Sequence, residues 1–484
     1  MLLLPLLLVA CESTVKISVD DTGRPDTDTD ADADTDADTD ADADTDTDTD
    51  TDTFLASEAD VVLYGEDRQD GTGNGGLASA GDITGDGAPD LLAAAQGRSV
   101  GGGTYNGQAY VIALPAPGEA SITTSRTLID GVTDYSGFGS SVSAAGDVDG
   151  DGSDDILIGA HGESTAYIFH GPLPEGRMTA DDAELALGTT GANDYTATLV
   201  GFAGDIDGDG LDDVIVNALQ GPGGDALGAV YINLAASNIG YAPVGDDALV
   251  ITGAESRGRV GGTPATTADL DGDGQLDLVV TGFDSGAGIF YGPLGAGERT
   301  LADADGWLAR EAQLDFTGSA LAADDFDADG YADLAIGAPA AIDAGLGSGA
   351  VFLAFGGDRL SGEHALADGG RLNGAEGDYT GVRLASPGDI DDDGVADLLV
   401  GAIYRDSGAD RGGGAWLVHG PLTTEHRLLG GDDTDYIGDI AWGQLGTTLG
   451  GVVDFDADGA LDIALGAFAG DQPGHGAIYL FSGG

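Results

Sequence analysis

Cations are scarce in this sequence. Among 484 residues, 16 Lys plus Arg stand against 86 Asp plus Glu, a formal net charge of −70. Binding a phosphate backbone needs clustered positive charge, so nucleic acid is excluded as a partner. The single cysteine, Cys11, rules out a disulfide framework within the chain. No apolar run reaches the roughly 18 residues of a membrane-spanning helix. The six histidines show no metal-ligand spacing such as H-E-x-x-H. One G-x-S-x-G match, Gly97-Arg98-Ser99-Val100-Gly101, is expected by chance at this glycine content. It also lacks the strand-turn-helix setting of a nucleophile elbow. No catalytic constellation emerges, and the chain reads as a non-enzyme. What is abundant is glycine, 86 residues, beside a hydrophobic fraction of 42% that supplies a sizeable core.

The chain opens with an apolar run, Met1 to Ala10, that stops at its only cysteine. Leu8-Val9-Ala10-Cys11 resembles the lipobox of bacterial lipoproteins, in which the cysteine carries the lipid. That resemblance implies a signal peptide over residues 1–10, a lipidated Cys11, and export. Glu12 in place of Asp implies sorting to the outer membrane or cell surface, with the lipid as the sole membrane attachment. The run departs from the pattern in lacking a Lys or Arg ahead of it. From Asp26 to Asp52 every even position is Asp, with Thr or Ala between. Such a segment has no apolar face and extends by self-repulsion. Residues 11–53 therefore read as a disordered tether, its length roughly 140 Å when fully extended.

Residues 54–484 repeat. A nine-residue element D-x-D-x-D-G-x-x-D begins at Asp82, Asp147, Asp205, Asp269, Asp325, Asp389 and Asp454, at spacings of 65, 58, 64, 56, 64 and 65 residues. An apolar, non-alternating run follows each, as in Ile156-Leu157-Ile158, the pattern of a strand buried on both faces. A second apolar strand comes later in each copy, as in Ala415-Trp416-Leu417-Val418. Four short strands per copy predict an all-β, seven-bladed propeller. The last copy ends after its third strand, Ala477-Ile478-Tyr479-Leu480, and Asp60-Val61-Val62-Leu63-Tyr64-Gly65 supplies the missing fourth. The N-terminal strand is thus expected to latch the ring.

The Asp element suits a hard divalent cation, which takes six to eight oxygen ligands. Positions 1, 3 and 5 place carboxylates on one side of a tight loop, position 6 is always glycine, and position 9 can close the shell. The candidate ligands are Asp82, Thr84, Asp86 and Asp90; Asp147, Asp149, Asp151 and Asp155; Asp205, Asp207, Asp209 and Asp213; Asp269, Asp271, Asp273 and Asp277. Asp325, Asp327, Asp329 and Asp333; Asp389, Asp391, Asp393 and Asp397; and Asp454, Asp456, Asp458 and Asp462 complete the set. Up to seven Ca²⁺ are expected, the first blade binding most weakly because Thr84 replaces a carboxylate. No Cys or His lies within the nine positions, so zinc and copper have no claim on this pattern.

These copies resemble FG-GAP repeats, the units of the integrin alpha-subunit N-terminal propeller. The name-giving pairs are Phe138-Gly139 before the loop and Gly337-Ala338-Pro339 after it. The resemblance implies a seven-bladed propeller with calcium between the first and second strands of its blades. It also implies that partners engage the opposite face, where Tyr105, Arg257, Tyr404, Arg405, Arg411 and Trp442 are contact candidates. The expected function is a calcium-stabilised surface module, monomeric, that binds an extracellular protein or glycan. A surface hydrolase acting on glycans and a purely structural envelope component remain as alternatives.

Overall fold

The computed structural model describes residues 53–483, except 67–69, 74–75, 114–117, 189–194, 222–226, 235–239, 245–247, 255–257, 263, 284, 311–314, 343, 407–408, 431–432, 455–458 and 469–475. The expected signal peptide, Cys11 and nearly all of the tether lie outside the described residues, as do Arg257, Asp456 and Asp458. The rest is a seven-bladed β-propeller, built as seven sheets.

Blade 2 shows the pattern. Phe138–Gly146, Asp155–Ala160, Thr165–Phe169 and Leu185–Gly188 pair antiparallel in chain order. The second and third strands carry the apolar runs and are buried almost throughout, because each sheet is covered by a neighbour on both faces. The core is accordingly divided into seven apolar clusters, each shared by two adjacent blades.

Every sheet has five strands, one more than the repeat pattern implies. The fifth is borrowed. Between its third and fourth strands, each copy sends a short segment to the outer edge of the preceding blade. In blade 2 this is Gly176–Thr179, which pairs parallel with Thr127–Asp130 of blade 1. The same parallel pairing recurs on all seven outer edges. After five of these segments a 3₁₀ turn, among the described residues, returns the chain, burying one apolar residue such as Ala180, Leu301 or Leu366.

Closure follows the same rule. Val61–Tyr64 pairs antiparallel with Ala477–Phe481 and completes blade 7, as the sequence predicts. Just before it, Thr53–Leu55 pairs parallel with Thr434–Ile437 and forms the fifth strand of blade 6. The N-terminal segment therefore latches two blades. Phe54 fixes the second contact, its ring 5.5 Å from Tyr436 and 6.3 Å from Phe481.

Candidate metal loops and the opposite face

The Asp elements connect the first and second strands, so all seven lie at one end of the ring. Blade 3 is representative. Asp205 at position 1 turns inward: its Oδ1 accepts from the N–H groups of Gly208 (2.8 Å) and Asp209 (2.9 Å), and its Oδ2 from Gly210 (2.9 Å). Asp207 Oδ1 accepts from Asp209 N–H, and Asp209 Oδ1 from Leu211 N–H. These bonds wind the backbone around the carboxylates. They require left-handed residues at positions 4 and 6, with φ of 83° at Gly208 and 93° at Gly210. Position 4, which the motif leaves unspecified, is left-handed even where glycine is absent: φ is 64° at Ala328 and 61° at Asp392.

Position 9 does more than face the loop. All seven of these aspartates, from Asp90 to Asp462, are at most 1% exposed. In blade 2 the Asp155 Oδ2 accepts from Val148 N–H at position 2 and its Oδ1 from Gly171 N–H beyond the third strand. Asp277, Asp333 and Asp397 make the same two bonds. One buried carboxylate thus pins the loop to the end of the third strand. Burial pushes its acidity down: Asp90 and Asp155 are raised to about 6 and Asp333 to about 7.

In blades 2, 3 and 5 the carboxylates of positions 1, 3 and 9 bring ligand atoms within 4.8 Å of one another, as in Asp205, Asp207 and Asp213. In blade 4 positions 1, 3 and 5 do so through Asp269, Asp271 and Asp273. This oxygen-only chemistry fits a hard cation, whose charge would offset the mutual repulsion that raises Asp207 and Asp327 after desolvation.

The loops nonetheless differ in what else approaches them. In blade 1, Thr84 removes a carboxylate and the Arg126 guanidinium pairs with Asp86. In blade 4, Arg359 reaches across from blade 5, pairing with Asp271 and, at 2.5 Å, with Asp273, while stacking 4.9 Å over Tyr291. In blades 2 and 6 a histidine just beyond the third strand arrives: His170 Nδ1 is 2.9 Å from Asp149, and His419 Nδ1 is 3.2 Å from Asp391. Among the described residues no basic side chain pairs with Asp205, Asp207 or Asp209, or with Asp325, Asp327 or Asp329.

Successive loops are also sewn together. Leu173, Leu294, Gly357 and Leu422 each donate an N–H to the position-2 carbonyl of the preceding blade, at Ile83, Ile206, Leu270 and Phe326. A change at one loop therefore bears directly on the edge of the next.

The opposite end carries the second-to-third and fourth-to-first connections. The contact candidates there separate into two kinds. Arg405 is engaged internally, paired with Asp435 and lying 4.3 Å over the Trp416 ring. Arg411 is exposed and sits between Tyr404 (5.2 Å) and Trp442 (4.8 Å), the latter 53% exposed. Tyr105 lies 5.9 Å from Tyr135, a residue the contact candidates omit and which is 66% exposed. Tyr135 belongs to a repeated position, with Tyr195, Phe316 and Tyr379, where an aromatic residue has φ between 53° and 60°. The sequence signal was available: Asp-Tyr-Ser, Asp-Tyr-Thr, Asp-Phe-Thr and Asp-Tyr-Thr, each just before the first strand. Ser99 of the G-x-S-x-G match lies in such a connection, its Oγ accepting from Tyr105 N–H at 2.9 Å, the setting of a turn hydroxyl.

A family model described as FG-GAP repeat matches residues 74–112, 138–171 and 317–353, segments that contain the loops of blades 1, 2 and 5. Integrin alpha-PS2 of Drosophila melanogaster is 30% identical over 164 residues, 31% of this chain and 12% of that protein. Integrin alpha-5 of Xenopus laevis is 29% identical over 228 residues, 42% of this chain and 20% of that protein. The chain thus spans a fifth or less of the length of these relatives. Two solved structures of BBS1N in complex with ARL6DN, soaked with mercury or lead, align over 88% and 84% of this chain and 94% and 91% of theirs. Their identities are 10% and 13%, with TM-scores of 0.43 and 0.44.

Proposed function

Since the chain is a seven-bladed propeller of FG-GAP repeats similar to those of integrin alpha subunits, we propose that it is a calcium-stabilised binding module displayed on the cell surface. The observation that carries this reading is the division of labour between its two ends. One end holds seven acidic loops whose repulsion a hard dication would relieve. The other presents aromatic side chains and Arg411 on the connections between strands, the residue types enriched in protein interfaces. The partner is an extracellular protein or glycan, and a lipidated Cys11 with the Asp-rich tether holds the propeller away from the membrane as a monomer. Affinity capture from the native cell envelope, with and without calcium, tests the binding role. Specific capture that is lost in Trp442→Ala and Arg411→Ala supports it; a chain that retains nothing with calcium present refutes it. Intact-mass analysis of membrane fractions tests the anchor, which an unprocessed soluble form as main product would exclude.

A further inference from the structure

The nine positions of the blade 6 loop contain no histidine, yet a histidine completes its ligand cluster. Asp391, Asp397 and His419 bring one ligand atom each within 4.8 Å of one another. The His419 Nδ1 lies 3.2 Å from Asp391 Oδ2 and 3.6 Å from Asp397 Oδ1. It is shielded from solvent and has no aligned hydrogen bond. The other ring nitrogen, Nε2, is 3.1 Å from Thr434 Oγ1, which holds the imidazole from behind. Asp397 is fixed in turn by the N–H groups of Ile390 and Gly420. An imidazole steered through its outer nitrogen, with the inner nitrogen converging on two carboxylates, is the arrangement of a metal-ligating histidine and its supporting shell.

Chemistry then separates this loop from its neighbours. Calcium takes oxygen ligands, whereas imidazole favours borderline first-row dications, and three protein ligands leave a coordination position open. The equivalent position is Tyr291 in blade 4 and Phe355 in blade 5, neither of which offers nitrogen. In blade 2 it is His170, held at 2.9 Å from Asp149 with its Nε2 buried and unpartnered, and the converging carboxylates there are Asp147, Asp149 and Asp155.

We propose that blade 6 is a mixed nitrogen–oxygen site in which Asp391, Asp397 and His419 hold Zn²⁺ in preference to Ca²⁺, while the loops of blades 3 and 5 remain oxygen-only. This rests on the reading of the Asp loops as cation sites. The alternative is that His419, protonated, acts as the loop's own cation and leaves no room for a metal.

The test uses the full chain, stripped of metal and then kept in about 1 mM calcium, a concentration at which extracellular calcium loops fill. Zn²⁺ is titrated into the wild type and into His419→Gln, Asp391→Asn and His170→Gln, and zinc-edge X-ray absorption is recorded at one equivalent. The expected result is one Zn²⁺ site that survives calcium. It weakens at least about tenfold in His419→Gln and Asp391→Asn, a loss at the lower end of that seen for supporting-shell changes alone, and is unchanged in His170→Gln. The imidazole signature disappears in His419→Gln. A calcium-dependent melting temperature retained in each variant shows that it is folded. Unchanged zinc affinity in both His419→Gln and Asp391→Asn, or an imidazole signature absent from the wild type, overturns the proposal. Zinc binding as expected with no calcium effect on wild-type melting would leave this site standing and remove the calcium reading instead.

Discussion

Lowering the pH should stabilise the metal-free protein, and calcium should abolish that dependence. The perturbation acts on the position-9 aspartates. Burial is the largest influence on each, raising Asp90 and Asp155 to about 6 and Asp333 to about 7 from an ordinary 3.8. A carboxyl whose value is higher in the folded chain binds its proton more tightly there. Its stabilisation is complete below the unfolded value and is lost as pH rises through the folded one. For Asp333 the loss between about pH 5 and pH 7.5 is on the order of 2 kcal/mol, once screening at the loop mouth is allowed for. The acids held below their ordinary values, Glu66, Asp86 and Asp303, titrate beneath this window. The one histidine that burial lowers, His161, opposes the trend as a single group against the raised carboxyls of Asp90, Asp155, Asp333 and Asp378. Calcium meets the same charge without a proton, and contributes about 1.4 kcal/mol per site at roughly a tenfold excess over Kd, the upper end of what millimolar calcium supplies to extracellular loops. At roughly 1 °C per kcal/mol for a domain of this size, several loops together shift melting by several degrees. Differential scanning calorimetry at both pH values, with EDTA or with millimolar calcium, reads this directly. Melting in EDTA that stays level or rises between pH 5 and pH 7.5 would refute the assignment of buried, uncompensated carboxyls. Melting indifferent to calcium at pH 7.5 would refute the metal.

Removing residues 53–65 takes away the fifth strand of blade 6 and the fourth of blade 7, so the truncated chain should aggregate on purification; unchanged melting would count against the latch. Within it, Leu63→Ala should cost about 2–5 kcal/mol by denaturant titration, since the side chain is 2% exposed. Asp207→Ala should reduce calcium stabilisation more than Thr84→Ala, because blade 1 already lacks one carboxylate and has Arg126 on Asp86; isothermal titration that ranks them in reverse would defeat the charge argument. Gly208→Ala should destabilise by about 1 kcal/mol through its left-handed φ alone, as its nearest non-neighbour atom lies 3.8 Å from the added carbon. Ala328→Gly should be stabilising by a few tenths of a kcal/mol, the relief of strain slightly exceeding glycine's added chain entropy.

The second and third strands of each blade were legible because burial on both faces leaves a non-alternating apolar run, and the first and fourth followed from the repeat spacing around them. The fifth strand was not. Gly176–Thr179, Gly297–Thr300 and Gly362–Ala365 read Gly-Arg-Met-Thr, Gly-Glu-Arg-Thr and Gly-Glu-His-Ala, largely exposed segments without alternation. Their pairing is decided by the outer edge of another blade, which offers unpaired backbone groups to whatever passes. The one local hint is the cap that follows, where Thr179 and Thr300 are bonded by Asp182 and Asp303 three residues on. The same logic hid the strand at Thr53–Leu55, whose partner lies at Thr434–Ile437, at the other end of the chain.

The loops show where legibility stops at a site. Their shape is local: the bonds that wind Asp205 to Asp213 span at most seven residues, so spacing alone announces them. Their charge balance is not local. Arg126 reaches Asp86 across 40 positions and Arg359 reaches Asp271 across 88. Arg359 and His419 sit near the start of the segment that leaves a third strand for the previous blade's edge, and Arg126 lies where that segment has returned, just ahead of the fourth strand. The crossover that ties the ring together therefore also delivers the side chains that make its seven loops unequal. A repeat can keep its ligand spacing intact in every copy while its metal chemistry diverges through residues that the spacing never includes. For this propeller, loop identity has to be read beyond the loop itself, from Arg126, His170 and His419 of the same blade and, in blade 4, from Arg359 of the next.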